Sequence, residues 1–250
     1  MISDPEGTAL ALFIAFCRIG GCMMVLPGFS SARVPMQIRF FVSFALALAL
    51  LPILWDTIYP RVSGGDPAVY MRLIFGEVLI GTMYGLIARI YTLGMQFTGS
   101  ILAMSIGFSA PGGADILEDT SENPLASFLS FSALMVLFIL DFHHIVFKAL
   151  ADSYTIMPLG GDPSAQKMLI TMTDTLAQVF MIMLRLASPF LIYGLMFNVA
   201  VGLVNKLAPQ IPLYFVSTPY LLMGGIFLMY LSIAAFIRQF AGGFSAIFLG

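Results

Sequence analysis

Six apolar stretches joined by short polar connections make up most of the chain. They cover residues 8–29, 40–55, 73–108, 125–147, 176–204 and 213–237. A helix must contain about 20 apolar residues to cross the hydrocarbon core of a bilayer. The last stretch meets this requirement easily, whereas the second is short and contains Pro52. The pattern predicts an all-α integral membrane protein that forms a single membrane unit over residues 1–250.

The composition supports a membrane protein and argues against several other classes. Apolar residues make up 60% of the chain and charged residues only 10%, whereas soluble domains are about 25% charged. The net charge of −2 and the lack of a basic tract argue against binding to nucleic acid. The first seven residues carry two acids and no base, so a cleaved signal peptide is not expected.

Charged side chains also occur inside the apolar stretches, where a charge facing lipid costs about 2.5–3.5 kcal/mol. Each should therefore face protein or water. Glu77, Gly81 and Gly85 are spaced four residues apart and share one helical face. Because a Gly-x-x-x-Gly pair lets helices approach closely, this face predicts a tight helix contact with a paired carboxylate. A proton-carrying role for Glu77 is the alternative. The intramembrane charges are Arg18, Glu77, Arg89, Asp141 and Arg185.

Two groups of potential metal ligands are present, and neither predicts a metal site. Cys17 and Cys22 would point to different faces of a helix, so we expect two small buried thiols and no disulfide. Asp141, His143 and His144 are close in sequence, but the two adjacent histidines would diverge by about 100° on a helix, and no third ligand lies at a familiar spacing. The spacing favours a structural pairing of Asp141 with His144. No catalytic set and no cofactor are expected.

Residues 103–124, which read AMSIGFSAPGGADILEDTSENP, interrupt the apolar pattern with glycines and acids. Glycines at positions 107, 112 and 113 permit unusual backbone angles, so the helix should end near Gly107. Two interpretations are open. The segment is either a solvated acidic loop or a re-entrant loop, which is tolerated at membrane depth only where it lines or closes a protein-enclosed path.

The fifth apolar stretch ends in polar and helix-breaking residues. A small, polar stripe suited to protein contact lies on one helical face, and the following NKLAPQIP should break the helix at its prolines. The stripe consists of Gly194, Asn198, Gly202 and Asn205, and the prolines are Pro209 and Pro212.

This sequence pattern resembles that of the FliR family of the flagellar type III export apparatus, to which injectisome SctT-like proteins are related. The most specific match is NVAVGLVNKLAPQIP, where the agreeing residues are Asn198, Gly202, Leu203, Asn205, Lys206, Ala208, Pro209 and Gln210. Further agreements, in order along nearly the whole chain, are Arg18, Gly20, Pro27, Pro35, Arg39, Glu77, Gly81, Gly85, Asn123, His143, Asp152, Pro158 and Gly160. Phe142 departs from the small residue expected before the histidine.

The resemblance implies a non-enzymatic subunit of a protein export gate in the bacterial inner membrane, at the flagellar basal body. One FliR-like chain would join FliP-like and FliQ-like subunits in a closed helical assembly, with FlhB and FlhA associated. The fold implied is a set of long hairpins, with residues 1–175 FliP-like and residues 176–250 a FliQ-like hairpin. Membrane lipid and unfolded flagellar export substrates are the other partners implied.

The resemblance also implies two groups of functional residues. The pore plug or gate would contain Met104, Gly107, Phe108, Ser109, Pro111, Gly112, Gly113 and Asp115, with Met104 and Phe108 as candidates for the seal. The assembly and buried polar positions would be Arg18, Glu77, Gly81, Gly85, Asn198, Gly202, Asn205, Lys206, Pro209 and Gln210.

Three other functions remain as alternatives. An injectisome export gate would carry nearly the same sequence. A secondary transporter for a small solute, with Glu77 as the coupling acid, predicts inverted repeats that the sequence does not display. An intramembrane enzyme or metal carrier would have to use Asp141, His143 and His144.

Overall fold

The computed structural model describes residues 4–31, 34–62, 67–108, 123–159, 165–210 and 212–249. Across these ranges the regular structure is entirely helical, which confirms the all-α prediction. The helices are α1 (Pro5–Val25), α2 (Met36–Val62), α3 (Pro67–Ser105), α4 (Pro124–Ile139), α5 (Phe142–Ile156), α6 (Ala165–Leu207) and α7 (Leu213–Leu249).

Five of these helices are long and apolar enough to cross a membrane, and the pair α4 and α5 together would make a sixth span. The six predicted apolar stretches therefore correspond to helices. Three helices are longer than one crossing requires: α3 has 39 residues, α6 has 43 and α7 has 37. At 1.5 Å per residue they measure about 55–65 Å, roughly twice the hydrocarbon thickness of a bilayer.

The N-terminus of α1 is fixed to α2 by Asp4. Its carboxylate accepts the Gly7 N–H at 3.0 Å and the Tyr59 hydroxyl at 2.9 Å, and Pro5 occupies the first helical turn, where no donor is lost. The Gly7 N–H and the Tyr59 hydroxyl lower the pKa of Asp4. The stability that this cap adds to the folded chain is fully present above the ordinary pKa of aspartate. It is lost as the pH falls through the lowered pKa of Asp4.

The chain forms two compact units, each built from separate segments. The first unit comprises Met1–Tyr91, Asp141–Leu176 and Ile247–Gly250, and the second comprises Thr92–Leu140 and Ala177–Ala246. The proposed division into FliP-like and FliQ-like parts at residue 175 concerns other proteins and stays a prediction.

Helix α1 lies at the centre of the first unit. It packs against α2, whose buried apolar residues recur every three or four positions. In α1 the buried apolar residues include Ala11, Ile14, Ala15, Ile19, Cys22 and Met23, and in α2 they are Ala47, Leu51, Leu54, Ile58 and Val62. Both cysteines are free and buried, as predicted.

The second unit has an apolar core between α3, α4, α6 and α7. Its large buried members include Met95, Leu102, Leu129, Leu137, Met183, Phe190, Phe240 and Phe244. The outer faces are also apolar, and large side chains such as Phe215, Tyr230 and Leu207 are mostly exposed. These surfaces suit lipid or other protein chains, not water.

The fourth apolar stretch is not one helix. It breaks at Leu140 and Asp141, so that α4 ends at Ile139 and α5 begins at Phe142. Asp141 has left-handed backbone angles, with φ 54° and ψ 35°. Aspartate tolerates this conformation better than most residues, but a residue with left-handed angles cannot continue a right-handed helix.

Candidate functional site

A buried ion pair joins α1 to α3 inside the first unit. Arg18 donates from Nε to Glu77 Oε2 at 2.6 Å and from Nη2 to Glu77 Oε1 at 2.8 Å. Arg18 is 0% exposed and Glu77 is 2% exposed. This fork-to-fork geometry is the strongest arrangement available to an arginine and a carboxylate. The structure thus pairs two of the charges that the sequence placed in apolar stretches.

Helix α5 completes the surroundings of the guanidinium. Arg18 Nη1 donates to Ser153 Oγ at 2.9 Å, and Nη2 also donates to the Met157 carbonyl oxygen at 3.1 Å. The Arg18 Cζ atom lies 3.7 Å from the ring centroid of Tyr154, a cation–π contact. A buried ion pair is tolerated only when its remaining donors are satisfied, and α5 supplies those partners.

The Gly-x-x-x-Gly contact predicted from the sequence is present between α3 and α1. A Cβ atom at Gly81 would overlap the Arg18 carbonyl oxygen, and one at Gly85 would overlap the Cys22 carbonyl oxygen. Only glycine lets the two backbones approach this closely. Arg18, Glu77, Gly81 and Gly85 therefore hold helices of this chain together.

Tyr154 contributes its ring to this cluster. Its hydroxyl is buried and has no hydrogen-bond partner within the described ranges. We therefore expect Tyr154→Phe to change the free energy of unfolding by less than about 0.5 kcal/mol. Tyr154→Leu, which removes the ring over Arg18, should cost about 1–2 kcal/mol. Thermal unfolding in detergent compares the two variants, and equal losses would show that the hydroxyl itself matters.

Asp141, His143 and His144 are brought together by the break before α5. His143 Nε2 and His144 Nδ1 each lie 3.9 Å from Asp141 Oδ1, too far for a hydrogen bond. The expected Asp141–His144 pairing is therefore a loose contact. Asp141 precedes the helix, whereas His143 and His144 both lie on α5.

The stripe on α6 is partly covered within the chain and partly open. A Cβ atom at Gly194 would overlap the backbone of Ser105, so this glycine packs against α3. Asn198 is exposed, and a Cβ atom at Gly202 would meet no atom within 4 Å. Farther along, Asn205 is half-buried and Lys206 is exposed. The helix ends at Leu207, before exposed Pro209 and Gln210, as predicted from the prolines.

Only the beginning of the predicted plug lies within the described residues. Helix α3 ends at Ser105, and Gly107 has a positive φ of 74°, consistent with the predicted end of the helix. Beside it, Met104 and Phe108 are 73% and 42% exposed. The other predicted plug residues, Ser109, Pro111, Gly112, Gly113 and Asp115, lie outside the described residues.

Sequence reasoning missed the contribution of α5 to the ion pair. Ser153, Tyr154 and the Met157 carbonyl lie about 135–139 residues from Arg18. The one available signal is the short polar run ADSYT within an otherwise apolar region. Such a run indicates a buried polar contact but does not identify its partner.

These features define an all-helical integral membrane protein with a sealed internal ion pair and an open polar stripe. Residues 9–247 match the family described as Bacterial export proteins, family 1. The chain belongs to this family of flagellar export proteins, the FliR family.

Several relatives are similar over most of their length. The flagellar biosynthetic protein FliR of Caulobacter vibrioides is 30% identical over 232 residues, which is 91% of each chain. FliR of Escherichia coli is 24% identical over 217 residues, covering 87% of this chain and 82% of the relative. FliR of Bacillus subtilis is 25% identical over 215 residues, covering 84% and 80%.

Proposed function

We propose that this chain is a structural, non-enzymatic subunit of the flagellar type III export gate in the bacterial inner membrane. It would help enclose the path through which unfolded flagellar subunits leave the cell. The observation that carries the proposal is the family match over residues 9–247, supported by 30% identity to a flagellar FliR across 91% of each chain.

Partner subunits are the second part of the proposal. We infer that FliP-like and FliQ-like chains cover the open part of the α6 stripe, and that FlhB and FlhA associate with the resulting complex. Two features support this inference. Asn198 and Gly202 have uncovered surfaces on α6, and an exposed amide is costly against lipid. Helices about twice as long as a bilayer core also leave apolar surface beyond the lipid.

The plug is the third part of the proposal. We infer that residues 107–115 close the channel at rest and that Met104 and Phe108 form its lip. The exposure of these two apolar side chains and the left-handed turn at Gly107 support this role. Methionine suits such a lip, since its flexible thioether adapts to varied apolar surfaces. Deleting residues 107–115 should increase ion leakage through the assembled complex, measured as conductance in planar bilayers.

Native mass spectrometry of the tagged chain, co-expressed with FliP-like and FliQ-like subunits, tests the assembly. The expected result is one copy of this chain in a complex of fixed stoichiometry. A monomer or homodimer recovered without partners would overturn the proposal. The leakage assay is interpretable only after this result, because leakage through an unassembled chain would not report on a plug.

Gly202→Leu is expected to prevent assembly without unfolding the chain. Space around Gly202 is open, and leucine is a better helix former than glycine by about 0.8 kcal/mol. The added side chain should instead clash with the neighbouring subunit. Gly242→Leu on α7, another open glycine, is the matched control. Complex yield by native mass spectrometry should fall for the first variant only, and equal yields would argue against a partner at the stripe.

A further inference from the structure

We propose that Asp141, His143 and His144 form a binding site for a divalent first-row transition metal ion such as Zn²⁺. The three side chains offer one ligand atom each, and these atoms all lie within 4.8 Å of one another. The sequence argument against a metal was that adjacent histidines on a helix diverge by about 100° and that no third ligand has a familiar spacing. In the structure both histidines do lie on α5, but Asp141 lies outside it and its carboxylate reaches both of them.

The backbone break creates the ligand cluster. On a continuous helix, Asp141 and His143 would lie on opposite faces. The left-handed conformation of Asp141 instead places one carboxylate oxygen 3.9 Å from a ring nitrogen of each imidazole. The two imidazole rings are tilted at 44° to each other, with centroids 4.3 Å apart.

The donor set selects the class of metal. Two imidazole nitrogens and one carboxylate oxygen suit Zn²⁺ and its neighbours, whereas Mg²⁺ and Ca²⁺ prefer oxygen ligands. Ligands around a tetrahedral Zn²⁺ lie about 3.4 Å apart, since each bond is about 2.0–2.2 Å. Side-chain movements of about 1 Å would therefore close the site. Asp141 and His144 are exposed and free to make them, with side chains 67% and 71% accessible.

The surroundings indicate that the ion would neutralise Asp141 and that its affinity would be modest. Asp141 is the only charged residue in the apolar stretch 125–147, and an exposed carboxylate there needs a compensating charge. Two features act against a cation: the positive end of the α5 dipole, and Lys148 one turn beyond His144. Each should lower the affinity only about two- to fivefold. Water would fill the remaining coordination positions.

The composition of the chain makes the test specific. His143 and His144 are its only histidines, and both cysteines are buried. The full chain would be purified in detergent with a tag that lacks histidine, stripped with a chelator and dialysed against Zn²⁺. We expect one Zn²⁺ per chain. Asp141→Asn and His144→Asn should each weaken binding at least about tenfold.

Matched variants separate ligation from folding. Asparagine also tolerates the left-handed conformation, so Asp141→Asn retains the backbone break. Asp152→Asn removes an exposed acid from the same helix and should leave zinc affinity unchanged. Electron paramagnetic resonance of the Cu²⁺-loaded chain should report two imidazole nitrogens in the wild type and one in His144→Asn.

Three results would overturn the proposal. The first is a wild-type chain that saturates well below one ion. The second is zinc binding that neither Asp141→Asn nor His144→Asn changes. The third is a complex with FliP-like and FliQ-like subunits that excludes zinc, since a partner side chain would then neutralise Asp141.

Discussion

Replacing Glu77 by glutamine is expected to destabilise the folded chain by about 3–5 kcal/mol. The amide cannot neutralise Arg18, whose guanidinium is fully buried. An uncompensated charge then remains in an apolar interior, and Ser153 together with the Met157 carbonyl offsets only part of that cost. Thermal unfolding of the purified chain in detergent measures the loss. Asp56→Asn, which removes an exposed acid from α2, is the control and should have no measurable effect.

The double variant Arg18→Met with Glu77→Leu should recover most of the lost stability. Well-packed apolar side chains often replace a buried ion pair without loss, because two desolvation penalties disappear together. This variant also separates the two interpretations of Glu77. If the carboxylate only pairs with Arg18, the double variant supports swimming in a strain that lacks the wild-type chain. A stable, assembled double variant that does not support swimming would indicate a proton-carrying role.

Gly81→Ala is expected to cost about 1–3 kcal/mol, the usual range for overpacking. The new methyl group would meet the backbone carbonyl of Arg18, and a backbone cannot move aside as a side chain can. Helices α1 and α3 would have to separate, which would also lengthen the hydrogen bonds between Arg18 and Glu77.

Gly76→Ala is the matched control, five residues earlier on the same helix. A Cβ atom at Gly76 would meet nothing within 4 Å, so the substitution should stabilise the helix by up to about 1 kcal/mol. Thermal unfolding in detergent should therefore show a loss of stability for Gly81→Ala and a gain for Gly76→Ala. A similar gain in stability in both would mean that helix propensity, and not the close approach of α1, determines the effect.

The fold could largely be predicted from the sequence because lipid requires long apolar helices. Prolines and glycines also mark where several of these helices end. Pro209 and Pro212 lie between α6 and α7, and Gly107 follows the end of α3. The break at Asp141 could not be predicted. An aspartate in an apolar run indicates a buried polar contact more often than a left-handed residue, and hydropathy does not report backbone conformation.

The candidate site could be predicted only residue by residue. Arg18 and Glu77 each stood out because a charge in an apolar stretch is costly, but their pairing connects residues 59 positions apart. Nothing in the local pattern identifies such a partner, and α5 lies farther still along the chain. The plug and the assembly surface depend on other subunits, so they stay predictions.

The distance between Arg18 and Glu77 along the chain also constrains how the protein enters the membrane. At a synthesis rate of about 5–20 residues per second, Glu77 follows Arg18 by roughly 3–12 s. During that time α1 carries an unneutralised arginine, which opposes insertion by about 2.5–3.5 kcal/mol if it reaches the bilayer centre. Helix α1 should therefore wait at the insertion machinery or the lipid surface until α3 emerges, and the two helices should enter the bilayer as a pair.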